Sequence, residues 1–483
     1  MPKIYLLNEP ELFFRNNQKC LDPQIGLLSY GPHGGVQADT HEKVTIKAGI
    51  IGTNRSIDAT ELFIRNLSMR INPKDSNTDY QGILFPGLDV NGVLGFDIAL
   101  DKNCILTIKR KFVKNLKKYP RKERILKCVA EYIEKLNLME EADPPPQVIY
   151  LPLDEELLSL TKDPNQIGDK IVYRRRQFGE SDFYEVQMFD FHHHIKAQAS
   201  IRNFTTQMIT PGTLIFSERK QQPSIIAWNF AVGSYYKATG TPWKLSEIDD
   251  KTCYIGLSFY NEITDSAKSI KASIAQVYMR TGESQVIRTK PGNWFTDKTT
   301  RSVYISSKDM KKIITDSIEL FEKQRRFTPN RIVVHKTSQY TLDEKEGCDI
   351  ACEDIDEVDL VQIKKFVQAR AYHEKYDFPV VRGTIISEGN EALLFTTGYI
   401  PALGTYQGPM SPRPLHIICH RLDTSLSMVC KDILGLTKLD WNSSRFCTRL
   451  PVTLSVSEKV GEIMAELVYN HPSNIPKSYR FFM

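Results

Sequence analysis

Residues 190–210 read DFHHHIKAQASIRNFTTQMIT, and residues 224–240 read SIIAWNFAVGSYYKATG. Apolar residues at helical spacing predict a helix over about 191–203, and Asp190 is a suitable N-cap for it. TTQMI is typical of a short strand, and the second stretch predicts a buried helix that ends near Gly240. The apolar strand QVIYLPL precedes both stretches. This alternation of strands and helices predicts a parallel α/β layer structure.

The first of these helices carries two polar residues, His192 and Lys196, which lie four positions apart and therefore on one face. Gln207 follows in the strand TTQMI, and Lys237 lies at the end of the second helix. Ammonium groups close to a helix start would favour an anion such as a phosphate. The alternative is an amphipathic helix with solvated polar residues. The apolar stripe that would dock such a helix consists of Phe191, Ile195 and Ala199.

Other histidines and cysteines give weak signals for a metal. Consecutive helical side chains point about 100° apart, so the histidines at 192–194 cannot all bind one ion. Cys348 and Cys352 could form half of a zinc site, but no second pair stands at ligand spacing. Reduced, buried thiols are the reading that this pattern favours. His416 and His420 lie in a predicted strand, which would separate them by ~13 Å.

The composition is that of a folded protein of two or three domains. The chain has 483 residues, of which 25% are charged and 41% hydrophobic, and its formal net charge is +5. This charge permits a nucleic-acid partner without requiring one, and basic residues cluster at 109–118 and 174–176. No run reaches the ~18 apolar residues of a membrane span. The start of the chain is too acidic for a signal peptide, so we expect a cytoplasmic protein.

The second half predicts a sheet followed by alternating elements. Three strand-like runs predict an antiparallel meander, and a helix rich in Lys and Arg follows at 307–326. The buried strand RIVVHKTSQYT comes next, and then predicted helices at 356–369 and 457–471. Three strands, a helix, a strand and a helix form the order of an RNase H-like fold. The change from helix to sheet places a domain boundary near 241–251.

The block HHHIK…TTQMI…NFAVGSYYKATGTPWKL resembles the MID domain of Argonaute proteins. The opening NEPELFF…DPQIGLLSYGP and the late segment LTKLDWNSSRFCTRLPVTLSVSEKVG are similar to the short prokaryotic branch of that family. The tail SNIPKSYRFFM resembles the Argonaute C-terminus. The resemblance covers almost the whole chain. It implies a Rossmann-like MID domain with an N-terminal segment over 1–245, and an RNase H-like PIWI domain over 246–483.

The resemblance also implies a site for the 5′ phosphate of a guide strand. In the family this phosphate is held by a tyrosine or histidine, a lysine four residues later, a glutamine and a second lysine. The matching residues here, with one more at the first guide phosphates, are His192, Lys196, Gln207, Lys237 and Asn229. The terminal carboxylate of Met483 would reach a structural Mg²⁺ ion at the phosphate. Gly233 departs from the pattern, since some relatives offer a glutamine to the ion there.

An RNase H-type nuclease holds two metal ions with carboxylates at strand ends. Active PIWI domains resembling this one carry an aspartate where the first strand here has Ser258, and a second where RIVVHKTS has Thr337. The last ligand, an Asp or His after a proline, falls near Val456. Because a neutral hydroxyl is a weak donor to a hard divalent ion, we expect metal-dependent cleavage to be absent. Asp97 and Asp101 lie before the MID block and are better interpreted as a strand and turn.

The resemblance implies a guide-directed binding protein and not an enzyme. It would hold a short guide RNA and pair it with single-stranded target DNA. Short relatives act with a second protein that has an APAZ region and an effector, such as a TIR, sirtuin-like or nuclease domain. Target recognition, with possible oligomerisation, would activate that effector in prokaryotic defence. Two alternatives are an active nuclease with shifted metal ligands and a generic α/β metabolic enzyme.

Overall fold

The structure of this chain is a computed structural model, and its coverage of the chain has gaps. It describes residues 2–35, 44–73, 83–162, 190–217, 221–247, 249–263, 303–372, 378–406, 411–465 and 478–483. It also describes strands at 176–178, 181–183, 269–278, 284–288 and 295–296. Of the two basic clusters, 109–118 is described, whereas the side chains of 174–176 lie outside the described residues.

The helices follow local sequence signals. Their bounds are α1 (Pro23–Tyr30), α2 (Asn54–Leu67), α3 (Arg110–Leu116), α4 (Arg121–Glu140), α5 (Glu155–Thr161), α6 (Phe191–Ile201), α7 (Pro211–Leu214), α8 (Pro223–Ala238), α9 (Ser307–Arg325), α10 (Leu342–Ala351), α11 (Leu426–Leu436) and α12 (Val452–Ala465). Asp or Ser/Thr side chains cap many of their first turns, because these side chains accept from backbone N–H groups that the helix leaves unpaired. Such caps are Asp22, Thr53, Asp154, Asp190, Ser306, Thr341 and Ser425.

The strands form two main sheets and several two- or three-stranded ribbons. Their bounds are β1 (Lys3–Leu6), β2 (Leu12–Phe13), β3 (Lys19–Cys20), β4 (Gly34–Gly35), β5 (Val44–Gly52), β6 (Phe96–Thr107), β7 (Val148–Pro152), β8 (Arg176–Phe178), β9 (Ser181–Phe183), β10 (Thr206–Ile209), β11 (Gly240–Thr241), β12 (Lys244–Leu245), β13 (Thr252–Ile263), β14 (Ser269–Tyr278), β15 (Ser284–Arg288), β16 (Phe295–Thr296), β17 (Val303–Tyr304), β18 (Arg331–Lys336), β19 (Glu357–Lys364), β20 (Thr384–Glu388), β21 (Glu391–Leu394), β22 (Tyr399–Ile400), β23 (Thr405–Tyr406) and β24 (Leu415–Leu422).

The first sheet is parallel and has helices on both faces. Its strand order is β10-β7-β5-β6, with parallel pairing throughout. Alternate residues of β7 enter different cores: Ile149 packs with α4 and α6, and Tyr150 packs with α2 and α8. Because successive strand side chains point to opposite faces, a strand that is apolar at every position needs a helix layer on each side. The predicted parallel α/β layer structure is confirmed.

The second sheet has the order β1-β20-β21-β24-β19-β18-β13-β14-β15. Within it, β13, β14 and β15 pair antiparallel, while β13, β18 and β19 pair parallel. The meander and the RNase H-like element order predicted from the sequence are therefore present. Helices α9 and α10 cover one face of the central strands, and α11 and α12 cover the other.

Two predicted helices differ from the structure. Residues 356–369 were predicted as a helix, but 357–364 form the strand β19, which is buried along most of its length. Burial on both faces removes the alternating pattern that marks a half-exposed strand, so the apolar spacing resembled that of a helix. In residues 108–138, charged residues alternate with apolar residues at helical spacing, which predicts helix along the whole region, but the structure has two helices there, α3 and α4. Pro120 precedes α4 as its N-cap and separates the two helices.

Buried ion pairs tie the start of the chain to the second sheet. The carboxylate of Glu9 accepts from Arg382 at 2.9 Å and from Lys438 at 2.9 Å. Strand β1 pairs with β20, so the first residues extend the larger sheet. One cluster of buried residues contains Ile46 from the first sheet and Val333 from the second. The two halves therefore share a continuous core. Among the described residues, every helix is too short or too polar to cross a membrane.

Candidate nucleic-acid interface

Helix α6 presents different residues to its two sides. Asp190 caps the helix as predicted, and its side chain accepts from the backbone N–H of His193 at 2.9 Å. Phe191, Ile195 and Ala199 form the predicted apolar stripe and are buried in the core between α6 and the first sheet. This docking holds the helix rigidly against the sheet, so that Lys196, near its middle, is 4% exposed.

Four residues converge beside α6, and we call Lys196, Gln207, Lys237 and Met483 the lysine cluster. Lys196 Nζ donates to the carbonyl oxygen of Thr206 at 3.2 Å and also to an oxygen of Met483. Lys237, which is 3% exposed, donates to Gln207 Oε1. A Cβ on Gly233 would lie 3.9 Å from Gln207 Oε1 and 3.8 Å from Met483 Cε, which is ordinary van der Waals contact with the cluster.

The lysine cluster is electrostatically unusual. Burial lowers the pKa of Lys196 to about 7. Burial, and then the charge of Lys196, lower the pKa of Lys237 well below its ordinary value. Neither lysine pairs with a carboxylate side chain in the part of the chain that the structure describes. Apart from the Met483 oxygen beside Lys196, the two lysines have no anionic partner among the described residues, so a further anion would stabilise the charged form of each lysine.

His192 lies at the edge of the cluster. Burial lowers the pKa of its imidazole well below the ordinary value, and the charges of Lys196, His193 and Lys237 lower it further. The imidazole is therefore neutral at neutral pH. A neutral ring can stack against a nucleotide base or donate one hydrogen bond, but it adds no positive charge.

Asn229, the fifth residue of the predicted site, has different partners. Its side-chain oxygen accepts from the backbone N–H of Ser444 at 2.8 Å and from the Ser444 hydroxyl at 3.0 Å. Gln24 donates to the same hydroxyl at 2.7 Å. Asn229 therefore connects α8 with a loop of the second half, and sequence reasoning missed both Ser444 and Gln24. The segment around Ser444 was noted only as part of a family resemblance.

The tail is anchored by aromatic residues next to the lysine cluster. Tyr479 and Phe482 are 4% and 2% exposed, whereas Phe481 is only partly buried. The Tyr479 hydroxyl accepts from Asn442 at 3.2 Å. The ring of Tyr236, on α8, lies 4.5 Å from that of Trp441 and 6.4 Å from that of Tyr479. These contacts fix Met483, which is 5% exposed, against α6 and α8.

A second group of possible metal ligands lies at the start of α6. Ligand atoms of Asp190, His192 and His193 lie within 4.8 Å of one another, whereas His194 is not a member. This agrees with the argument that three consecutive histidines cannot share an ion. His193 is also 3.6 Å from Glu462 of α12 through its other ring nitrogen. A ring that faces carboxylates at both nitrogens is better suited to linking α6 with α12 than to one ion.

A divalent ion at the lysine cluster would need oxygen ligands. Met483 and Gln207 both offer oxygens, which Mg²⁺ prefers. Each oxygen already accepts a hydrogen bond from a lysine, however. These oxygens are therefore the type of ligand that Mg²⁺ binds. A bound phosphate that attracted both ammonium groups would release the oxygens from their hydrogen bonds to the lysines.

The positions expected for nuclease ligands meet at the edge of the second sheet. The pairing of β13 with β18 ends at Gly256 and His335; Ser258 lies two residues further along β13, and Thr337 follows the end of β18. Helix α12 covers this face, since a Cβ on Gly256 would lie 1.9 Å from the carbonyl oxygen of Thr453. Val456 lies in α12 and is fully buried in the core.

Nearby carboxylates are already engaged. Glu344 is fully buried; it pairs with Lys336 at 2.5 Å and accepts from Thr341 at 2.9 Å in a capping box. Asp359 pairs with Arg331 at 2.7 Å, and Arg331 is the first residue of β18, at the opposite end of the strand from Thr337.

The fold of this chain is similar to that of several solved structures. Argonaute from Clostridium butyricum, bound to a guide DNA and a 19-mer target DNA, matches 97% of this chain with a TM-score of 0.63 at 15% identity. Argonaute from A. aeolicus matches 98% with a TM-score of 0.59 at 15% identity. This chain has the Argonaute fold. Drosophila Piwi also matches 99% of it, with a TM-score of 0.62 at 12% identity.

The chain spans only part of the length of these solved structures. The chain covers 54% of the C. butyricum and A. aeolicus chains and 56% of Drosophila Piwi, a little over half of each. Neither a family model nor a curated protein matches the sequence. At these identities the likeness establishes the fold, and the activity of this chain has to be argued from its own residues.

We expect the stability of the ligand-free protein to rise with pH above 7. An unfolded lysine keeps its proton up to a pKa of about 10.4, whereas folded Lys196 loses its proton near 7. Unfolding therefore takes up a proton between these values, and the free energy of unfolding should increase by up to about 1.4 kcal/mol per pH unit for each such lysine. Denaturant unfolding at pH 7.0, 8.0 and 9.0 measures this slope.

Lys196→Met should flatten the slope, because it removes the buried titrating group. Lys312→Met is the matched control, since Lys312 is an exposed lysine of α9 and should leave the slope unchanged. An identical pH dependence in wild type and Lys196→Met would show that Lys196 is not a depressed, buried ammonium group.

Proposed function

We propose that this protein binds a short guide strand by its 5′ phosphate and uses the guide to recognise complementary nucleic acid. The observation that carries the proposal is the lysine cluster, in which two buried ammonium groups from different helices converge without a carboxylate side chain between them. A terminal phosphate carries up to two negative charges and several acceptor oxygens. It therefore matches two lysines and an amide better than a singly charged internal phosphate does.

The cluster residues divide this task. Lys196 and Lys237 neutralise the phosphate, and Gln207 donates through its amide nitrogen. His192, neutral at the edge of the cluster, lies where it can contact the first nucleotide. Asn229 acts through Ser444, holding α8 and the adjoining loop in place near the first guide phosphates. This role for Asn229 differs from the direct phosphate contact that the resemblance implied.

The guide is RNA and the target single-stranded DNA in this proposal. The C. butyricum structure contains a guide DNA with a target DNA, which supports pairing between two strands as the means of recognition. Base pairing would read the sequence while the protein holds the backbone. In this cytoplasmic system an APAZ-containing partner with a TIR, sirtuin-like or nuclease domain supplies the effector. Target binding activates it in defence, and the complex then oligomerises.

Cleavage of the target is not part of the proposed function. At the positions where active PIWI domains carry metal ligands, Ser258 and Thr337 offer only hydroxyl groups, and Val456 is an apolar side chain buried in the core. A nuclease with shifted ligands would need carboxylates that are free to bind metal, and Glu344 is committed to Lys336 and to its helix cap. The chain therefore recognises nucleic acid, and chemistry belongs to the partner.

The first prediction tests the phosphate site. Lys196→Ala and Lys237→Ala should each weaken binding of a 5′-phosphorylated guide by about ten- to a hundredfold, since a hydrogen bond to a charged group contributes roughly 1.5–3 kcal/mol. Binding of the same guide with a 5′ hydroxyl should barely change. Fluorescence anisotropy with both guides measures this, and Lys312→Ala is the control. Equal losses of affinity for the two guide types would show that the lysine cluster does not bind the 5′ phosphate.

The second prediction concerns cleavage. The purified protein, loaded with a guide and a matched target in Mg²⁺ or Mn²⁺, should leave the target intact. The double variant Ser258→Asp/Thr337→Asp should also be inactive, because the remaining ligand position is Val456, buried in α12. Denaturing gels detect cleavage. A guide-dependent cut at one position by the wild type would establish the alternative, an active nuclease with shifted ligands.

The third prediction tests the proposed Mg²⁺ ion. A carboxylate of Met483 lies beside Lys196, and an ion between it and the guide phosphate would screen their repulsion. Appending a few residues after Met483 displaces the carboxylate but keeps Tyr479 and Phe482. Without guide, the extended protein should melt below the wild-type temperature, because Lys196 loses its Met483 acceptor. It should also bind phosphorylated guide more weakly and lose most of its response to chelator. Unchanged affinity and chelator response would rule out the carboxylate as an ion ligand.

A further inference from the structure

The first sheet has a topological switch point. The chain leaves β5 through α2 and returns at β6 on one side, whereas it leaves β7 through α5 and continues to β10 on the other side. The connections therefore diverge between the neighbours β5 and β7. In open parallel sheets such a divergence opens a crevice at the carboxyl ends of the strands, and ligands bind there.

A cavity of about 630 Å³ lies at this position. Residues that follow all four strands line it: 53–56 after β5, 107–110 after β6, 153–156 after β7, and part of 211–215 after β10. The volume suits one drug-sized ligand, since such sites usually measure about 300–1,000 Å³. The cavity shares no lining residue with the lysine cluster, so it is a separate place in the molecule.

The charged side chains that line the cavity differ in how far they are paired with other residues. Asp154 uses one oxygen to accept from the Leu157 N–H at 2.8 Å and the other to accept from the Thr53 hydroxyl at 2.7 Å. Glu156 pairs with Lys117 at 2.7 Å. These two carboxylates keep their charge but are hydrogen-bonded or paired, and a third carboxylate on the lining, Glu155, is exposed. Three cations at the mouth are exposed, and they are Arg55, Lys109 and Arg110. Arg110 also interacts electrostatically with Glu156, whereas Arg55 and Lys109 have no ion-pair partner among the residues that the structure describes.

Apolar surface accompanies these cations. Ile108 and Leu153, each 1% exposed, close the floor of the cavity, and Ile215 on its wall is 74% exposed. A large aliphatic side chain left in solvent beside a cavity can pack against the flat face of a base. The N-terminus of α2, which begins at Asn54, adds backbone N–H groups that favour an anion.

We propose that this cavity binds a nucleotide-sized phosphorylated ligand, with its phosphates on Arg55, Lys109 and Arg110 and its base against Ile215. The site is independent of the guide site, and the proposal does not require the guide to be bound. A free nucleotide suits it better than a nucleic-acid strand, because the volume accommodates about one nucleotide.

Titration calorimetry of the full chain with each of the four ribonucleoside diphosphates tests the proposal, with adenosine as the unphosphorylated probe. At least one diphosphate should bind saturably, and adenosine should bind at least tenfold more weakly than ADP. The double variant Arg55→Gln/Lys109→Gln should weaken the diphosphate at least tenfold. Ala59→Met, which fills the cavity from α2, should weaken both diphosphate and nucleoside.

Matched controls separate this site from two others. Lys111→Gln/Lys114→Gln removes the same charge from exposed positions of α3 outside the cavity and should leave diphosphate binding unchanged. Lys196→Ala should also leave it unchanged, and Arg55→Gln/Lys109→Gln should bind phosphorylated guide like the wild type. The proposal is overturned if no diphosphate binds, if either control variant loses binding equally, or if single-stranded RNA without a 5′ phosphate binds through Arg55 and Lys109 and displaces the diphosphate.

Discussion

Two ammonium groups buried side by side, those of Lys196 and Lys237, impose the strongest constraint on this structure. Each must find oxygen acceptors within the protein, because an unpaired buried charge is costly. The acceptors come from separate parts of the chain: the carbonyl of Thr206, the amide of Gln207 and an oxygen of Met483. The lysine cluster therefore fastens the tail to the helices of the first sheet.

The same fastening links the two halves of the molecule. Tyr236 and Tyr479 bring α8 and the tail together, Asn229 reaches the loop at Ser444, and His193 faces Glu462 of α12. Helix α12 in turn packs against β13 at Gly256, two residues before Ser258. The lysine cluster is therefore connected to the second sheet through α8, the tail and α12.

The sequence determined the elements whose signals are local. The period of α6 and its Asp190 cap, the buried helix α8, the meander of β13 to β15 and the parallel first sheet all follow from patterns within a few residues of each other. Residues 357–364 were wrongly predicted as a helix, because a strand that is buried on both faces lacks the alternation of polar and apolar residues that distinguishes a strand from a helix. In residues 108–138, where the apolar spacing predicts helix along the whole region, Pro120 separates the two helices α3 and α4.

The sequence by itself supplied the candidate residues of the site and, by resemblance, their grouping. Spacing could place His192 and Lys196 on one helix face, but only the packing of α6 and α8 on β10 brings Lys237 to Gln207. The depressed pKa of Lys196 exists because tertiary burial excludes water, which no pattern of residues expresses. The Ser444 partner of Asn229 and the cavity between the strand ends were likewise decided by tertiary structure, since each is formed by segments far apart in the chain.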